Sequence, residues 1–523
     1  MSAVVLSLVL SSLTAGAPPI TVGTTKQLFL DDYLIASQSN LSRQIHPARK
    51  HPTNPVLEPT EPWERGSAIL YGSVIRDGDK HRMWYYAGGN VAYAESADGL
   101  RWQKPRLGVI VHEGRDTNLV VARGDGDKLP ATLPCLLENF GVFRDDRDAD
   151  ASRRYKMGYL SLQRNYTGPK PSPFHSGQRR GLGVAVSPDG IHWRLYESWA
   201  TQATCDGATH WMHDPVSRRY VLYGRTKFAS PEVLAAVAGK PWLHFWGRSV
   251  IRAESKPDDF LHWEQVEPNS GELVLTADVQ DPPGSEIYSM MVFPYEGVYI
   301  GLVQMFHKER DTCRLELQLA VSRDTRRFTR VGDRAPFIPV GRPGRSQCEL
   351  PLGPESTGNC CRPPVDDVGL PGSWDQYNNS IATGPPLEAG DELRFYYGGR
   401  SSPHSPYKVA GAVNRGCIGL ATIPRDRFAS LSAGEQPGQI LTRPLRLDGR
   451  VLHLNANARA GRIALEMLDA AGNVVARSQP ITRDALDIPV AWEAGGLGAT
   501  ASPVTLRIQM QRAELFALWC SRS

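Results

Sequence analysis

Cysteine is scarce in this chain, with eight in 523 residues. That is too few for a disulfide scaffold, and no pair has the C-x-x-C spacing of a zinc site. Cys135, Cys205, Cys313 and Cys417 are scattered, whereas Cys348, Cys360 and Cys361 share one Gly/Pro-rich segment. If the protein is exported, a loop staple from Cys348 to one of the adjacent pair is expected there. No apolar run reaches about 18 residues, which excludes a membrane-spanning helix. Lys and Arg form no long run and the net charge of +4 is spread along the chain, so binding to nucleic acid or to a membrane surface has no support. Helical periodicity is almost absent.

What the chain does contain is repetition. "AESADGLRW" ends at Trp102 and "AVSPDGIHW" ends at Trp193; looser copies follow in "RAESKPDDFLHW", "LAVSRDTRRFT" and "GLATIPRDRFASL". Their aligned hydroxyl residues are Ser96, Ser187, Ser255, Ser322 and Thr422. Each copy follows a strand-like run rich in aromatic and branched residues, such as "HRMWYYAGG" or "GVYIGLVQMF", and before that run lies another strand and a polar turn. Five such units predict an all-β chain with a five-bladed β-propeller over roughly residues 55–432, because radial repetition leaves only short protected edges. In this reading Asp and Gly build a turn after the third strand, Ser bonds the turn backbone, and Trp packs between blades.

The flanks read differently. An apolar run from Ala3 to Leu13 precedes Ala15-Gly16-Ala17, the pattern of a signal peptide over 1–17 and hence of a secreted or periplasmic protein. Residues 18–54 are expected to wrap the propeller. Alternating strands after Arg443-Pro444, with turns at Asp448-Gly449 and Gly472-Asn473, predict a small β-sandwich over 433–523.

In a propeller the starts of the innermost strands line one face of a central funnel. These positions carry Trp63, Glu64 and Arg65; Glu138 and Asn139; Asp206, His210 and Trp211; Glu286 and Tyr288; and Trp374, Asp375 and Asn378. A carboxylate stands at or near each. Acids gathered in one funnel repel, which can keep one protonated beside an ionised partner, and glycosidic hydrolysis needs such a pair. Arg225 and His404 are further candidates for contacting a sugar. The alternative for each acid is a turn cap or an ion pair with a neighbouring Arg. His213 and His307 have no ligand-spaced partners, and no motif encodes a metal or cofactor.

The five-unit layout, "LFLDDYLI", "PWERGSAILYGSVIRDGDKHRMWYYAG", "SADGLRW" and "ELRFYYGG" followed by His404 resemble secreted bacterial proteins related to glycoside hydrolase families 32 and 43. The resemblance implies a carbohydrate substrate, no cofactor beyond a central calcium seen in parts of that clan, and a catalytic set facing the funnel. Carried over by position, Glu286 is the general acid, Asp206 the second carboxylate, and Glu64 stands where the clan has an aspartate. "WMHDP" (211–215) is similar to a fructosidase motif but lies on the wrong blade, so Asp214 is expected to form a turn. Competing expectations are a non-catalytic carbohydrate-binding propeller and, because Ser-x-Asp-Gly-x-x-Trp approaches the Asp-box, a sialidase-like hydrolase. Carboxylates locked in salt bridges would favour binding alone.

Overall fold

The computed structural model describes residues 18–122, 135–163, 179–196, 199–201, 209–240, 243, 245–264, 271–308, 314–341, 374–401, 404, 416–494 and 503–522, apart from the side chains of 135–138, 162–163, 179–180 and 494. The expected signal peptide, Asp206, the Glu138 side chain and the Cys348–Cys360–Cys361 segment lie outside them. The fold is all-β. Among the described residues the one α-helix is Pro231–Val237, where Ser230 caps the start by accepting a hydrogen bond from the Val233 amide. The chain divides into two units: Pro47–Arg425, and Met1–His46 with Asp426–Ser523.

The 47–425 unit carries the repeats as five consecutive groups of antiparallel strands, called sheets below, of which the fourth and fifth are joined in one nine-stranded sheet. The first contains Ala68–Asp77, Lys80–Ala87, Asn90–Ser96 and Leu119–Val121. The second contains Cys135–Arg144, Tyr155–Gln163, Arg179–Ser187 and Arg194–Leu195. His210–Asp214, Arg219–Lys227, Arg248–Lys256 and Asp259–Trp263 make the third. The fourth is Glu286–Tyr295, Val298–His307, Arg314–Ser322 and Thr329–Arg330. The fifth runs Asn378–Ile381, Glu392–Arg400, Gly416–Pro424, and it is completed by Arg49–Lys50 from before the first sheet. Neighbours within each sheet are antiparallel, and one parallel pair, Leu315 with Asn378, links the fourth sheet to the fifth.

Burial explains the continuous apolar runs. Every residue of Val298–His307 is buried, which demands neighbours on both faces of the strand. Those neighbours are the adjoining sheets. One apolar cluster joins Trp84 and Tyr93 of the first sheet to Phe140 and Tyr159 of the second. Others join Leu182 to Trp211 and Ile251, Tyr223 to Met290 and Val303, and Tyr396 and Leu420 of the fifth sheet back to Ala68 and Tyr85 of the first. First strands touch from the first sheet to the second, third and fourth in turn; Asn378–Ile381 meets the third and second strands of the fourth sheet and, on its other side, Ala68–Asp77.

Two recurring polar contacts stitch sheet to sheet. The phenol of Tyr155 hydrogen-bonds Asp77, Tyr220 bonds Asp145, and Tyr299 bonds Asp214; each Asp sits in the first hairpin turn of the preceding sheet. The repeated Ser-x-Asp-Gly motif makes the second. Ser96 Oγ accepts from the Gly99 amide at 2.9 Å, and Asp98 Oδ1 accepts from Leu100 and Arg101 amides at 2.8 Å. Those amides hold the Asp98 carboxyl down to about 2. Ser187 and Asp189 repeat the pattern. The turn's left-handed residue then offers its carbonyl to the sheet before it, with the fifth standing before the first: Trp84 Nε1 donates to Gly190, Tyr223 to Thr325 and Tyr396 to Gly99. At Gly99, with φ +73°, a Cβ would lie 2.4 Å from the Tyr396 hydroxyl, so conformation and space both require glycine.

The second unit has two six-stranded sheets. One orders Asp484–Pro489, Val451–Asn457, Ala513–Ser521, Ala429–Ala433 and Ser42–Ile45, with Gln27–Leu28 also on Ala513–Ser521. In the other, Ile35–Ser39 and Gly438–Thr442 flank Thr505–Gln511, Arg462–Leu468, Val474–Ser478 and Trp492–Ala494. Alternate residues of both sheets, including Leu452, Leu454, Ile463, Leu465, Ile508 and Leu515, share one core. Residues 18–45, expected to wrap the repeats, supply strands to both of these sheets. Among the described residues, no helix is long and apolar enough to cross a membrane.

Candidate functional site

Glu286 opens the first strand of the fourth sheet and is 0% exposed. Its hairpin pairs it with Phe306, two residues before Lys308. Lys308 Nζ therefore reaches Glu286 Oε2 at 2.7 Å, and the Arg248 guanidinium bonds the same oxygen. The Trp246 and Arg248 amides donate to Oε1. Burial alone would push this carboxyl up; Arg248 and Lys308 outweigh it and the net shift is downward. Glu286 is thus an ionised carboxylate. The general acid predicted at this position would need the opposite shift, because protonating a glycosidic oxygen requires a held proton.

Three other predicted residues gather beside it. Tyr288 occupies a bulge in the same strand. The buried Arg225 stacks its guanidinium 4.0 Å from the Tyr288 ring centre and donates from Nε to the Tyr288 carbonyl at 2.9 Å. His404 Nε2 and the Tyr288 hydroxyl lie 2.9 Å apart, with the imidazole also against Phe306. Sequence reasoning missed Trp246, Lys227, Arg248, Phe306 and Lys308. The indole of Trp246 is 44% exposed and has Lys227 and Arg248 at 4.5 and 4.6 Å from its ring. The hairpin register of Glu286 was the signal that could have found Lys308. Arg248 starts a third strand, a position the search of first-strand starts passes over.

The other predicted residues lie elsewhere. Glu64, expected as base or nucleophile, is a cap. Its Oε2 accepts from the Thr60 and Glu61 amides at 2.7 Å, its Oε1 accepts from the Tyr85 hydroxyl at 2.6 Å, and Lys104 Nζ bridges both oxygens. Those donors fill a 0% exposed carboxylate and leave no oxygen for a substrate. Arg65 ends that turn in the left-handed region and is exposed. Trp63 is buried, donating to Asn118 Oδ1 at 2.8 Å.

His210, expected to touch substrate, is 5% exposed, its Nδ1 is 2.8 Å from Thr383 Oγ1, and burial pushes its pKa down to about 3. The Thr383 amide in turn donates to the Gly72 carbonyl, so the first, third and fifth sheets meet at this neutral imidazole. Trp211 is an interior wedge: a Cβ at Gly158 would lie 2.9 Å from its indole. Trp374 stacks on Tyr397, and Asp375 accepts from Lys50 Nζ at 2.6 Å and the Tyr397 hydroxyl at 2.8 Å. Asn139, at φ 65°, and Asn378 are buried first-strand residues. Asn139 Oδ1 and Asn378 Nδ2 have no hydrogen-bond partner among the described residues. Asp214 forms its turn as expected, accepting from the Val216 and Ser217 amides.

A hollow of about 630 Å³ is lined by Asp214, Arg219, Arg252, Tyr299 and Arg326. It lies at the far end of the strand that Glu286 opens, since Pro294 and Tyr295 border it; its arginines and carboxylates are matched in ion pairs such as Arg219–Glu254 and Arg252–Glu254. Among the described residues no group of three or more His, Cys, Asp or Glu side chains is placed to hold a metal ion.

No protein-family description matches the chain, and no curated protein matches its sequence. Solved structures do match. A glycosyl hydrolase from Bacteroides ovatus is 15% identical, with 78% of this chain and 98% of that one covered at a TM-score of 0.43. A structure from the GH130 family of mannoside phosphorylases is 14% identical over 73% and 94% of the two chains, TM-score 0.42. A thermostable family-43 glycoside hydrolase is 11% identical over 70% and 92%, TM-score 0.38. At these values the likeness says nothing about which residues act.

Proposed function

We propose that the 47–425 unit is a five-bladed β-propeller, that the other unit is a β-sandwich, and that the protein is an exported carbohydrate-active enzyme of the glycoside hydrolase type working at the Glu286 cluster. Support for five blades is the succession of apolar clusters from the first sheet to the fourth, the Leu315–Asn378 pair that joins the fourth to the fifth, and the cluster that returns from the fifth to the first. Support for export is the apolar run and small residues at the N-terminus.

One observation carries the carbohydrate reading. The half-exposed Trp246 indole lies beside a recessed group of hydrogen-bonding side chains, Glu286, Arg248, Tyr288 and Arg225. A flat apolar face next to a few fixed polar groups suits a sugar ring, which presents C–H on its faces and hydroxyls at its edge. With Glu286 ionised and Glu64 used as a cap, Asp206 and Glu138 are the carboxylates left in the expected set for the proton donor and its partner base or nucleophile. Glu286 then acts as a positioning residue and a fixed negative charge.

The ion pairs at Glu64 and Glu286 favour a second reading, a propeller that binds sugar without cleaving it. The test is a panel of aryl glycosides and polysaccharides, followed by Asp206→Asn and Glu286→Gln on any substrate found. Loss of turnover by about 10²–10⁴-fold in Asp206→Asn with binding retained fits the hydrolase. Binding by the wild type without turnover of any panel member establishes the second reading instead.

A further inference from the structure

We propose that the Glu286 cluster takes a sugar unit bearing an oxyanion, either the carboxylate of a uronic acid or a sulfate ester. The inference rests on the carbohydrate reading above and narrows its substrate class.

The starting point is how Glu286 is used. Both of its oxygens are filled from within the chain, so its effect is to hold Arg248 and Lys308 in place. Arg248 is only 7% exposed, yet its Nε has no hydrogen-bond partner among the described residues. A buried guanidinium N–H left in that state is destabilising until an acceptor arrives. The planar fork of Arg matches the paired oxygens of a carboxylate or sulfate.

The surroundings point the same way. Arg248 lies 4.6 Å from the Trp246 ring, 5.5 Å from Phe306 and 6.0 Å from Tyr288. Lys308 lies 5.3 Å from Phe306, Lys227 4.5 Å from Trp246, and Arg225 4.0 Å from Tyr288. Four cationic side chains therefore share three aromatic rings. Arg248 and Lys308 already answer Glu286, and an oxyanion at the orphaned Arg248 Nε adds a charge-assisted hydrogen bond stronger than one to a neutral hydroxyl. A neutral sugar needs donors and acceptors at its hydroxyls and gains nothing from several positive charges around one stacking face.

The test is calorimetric titration of the full chain with oligosaccharides of matched length: polygalacturonate fragments, a sulfated galactan, its neutral counterpart, and inorganic sulfate alone. The expected result is that one anionic series binds at least about tenfold tighter than the neutral one, and that added salt erodes the difference. Which series wins separates carboxylate from sulfate ester. Arg248→Lys keeps a cation beside Glu286 but loses the fork, and should weaken the anionic sugar about tenfold more than it weakens a neutral one. Lys227→Ala, at the half-buried rim, should move affinity in the same direction and serves if Arg248→Lys does not fold. Equal affinity for neutral and anionic sugars overturns this inference and leaves the carbohydrate reading standing. Inorganic sulfate binding as tightly as the sulfated sugar also overturns it. Binding of no sugar at all removes both.

Discussion

At the scale of single residues, protonation decides what each candidate can do. His210 is the clearest case, because burial pushes its pKa from 6.5 to about 3. The unfolded chain binds a proton at His210 below about pH 6.5, while the folded chain refuses it until about pH 3. Stability must therefore fall as pH drops through that window, by about 1.4 kcal/mol per pH unit for one full proton. Chemical denaturation of wild type and His210→Gln between pH 7 and 4 should give a shallower pH dependence for the variant. Parallel curves would mean that the imidazole protonates in place. His81 and His213 are also shifted down by burial, and the difference between the two proteins cancels their contribution. The depressed aspartates, such as Asp145 at about 2, act in a separate window below about pH 4, where stability present at neutral pH is lost on protonation. At this scale the sequence was partly legible. "EPWE" carried the Pro and trailing Glu of a capped turn, a signal that outranked the catalytic reading of Glu64. The ionised state of Glu286 was only half legible: the hairpin register pointed to Lys308, whereas Arg248 comes from another sheet 38 residues away in the chain.

At the scale of elements, the repeated motif proved to be a joint. Ser and Asp tie the turn internally, and its left-handed residue passes a carbonyl to the neighbouring sheet. The sequence showed the turn through its Asp-Gly spacing, and period-two alternation showed the strands. The tyrosine-to-aspartate contacts were hidden, since the partners are 78, 75 and 85 residues apart and nothing local marks a phenol as the partner of a distant turn. Tyr220 tests their worth. Its hydroxyl bonds the buried Asp145, which also meets Arg147 and Lys156. Tyr220→Phe removes one of the three partners and should cost about 1–3 kcal/mol, seen as a lowered denaturant midpoint with an unchanged slope. The carboxyl of Asp145, now less well satisfied, should titrate higher, so the acid limb of the stability curve should move up in pH. No change in midpoint would mean that water replaces the phenol at no cost.

At the scale of the molecule, the question is whether the five sheets hold together as a chain or as a circuit. A chain has two free ends, and damage at one end stays there; a circuit transmits it. The fifth sheet is finished by Arg49–Lys50, drawn from before the first sheet, and Lys50 Nζ also pairs with the buried Asp375 at 2.6 Å. This contact spans 325 residues of sequence and joins the segment leading into the first sheet to the fifth. Tyr396, on the same sheet, donates to Gly99 of the first, and the two sheets share an apolar cluster. Lys50→Met keeps the length of the side chain and removes the charge, leaving Asp375 buried with Tyr397 as its described partner. Lys50 is partly exposed, so losing its charge beside the buried carboxylate should cost about 1–3 kcal/mol. In a circuit that loss should loosen both sides of the closure, so hydrogen exchange should accelerate in Gly416–Pro424 and in Ala68–Asp77 together, while Glu286–Tyr295 stays protected until global unfolding. Acceleration confined to the fifth sheet would show that the sheets open independently. The contact between the fifth sheet and the first would then contribute nothing to the rigidity of the strand that carries Glu286.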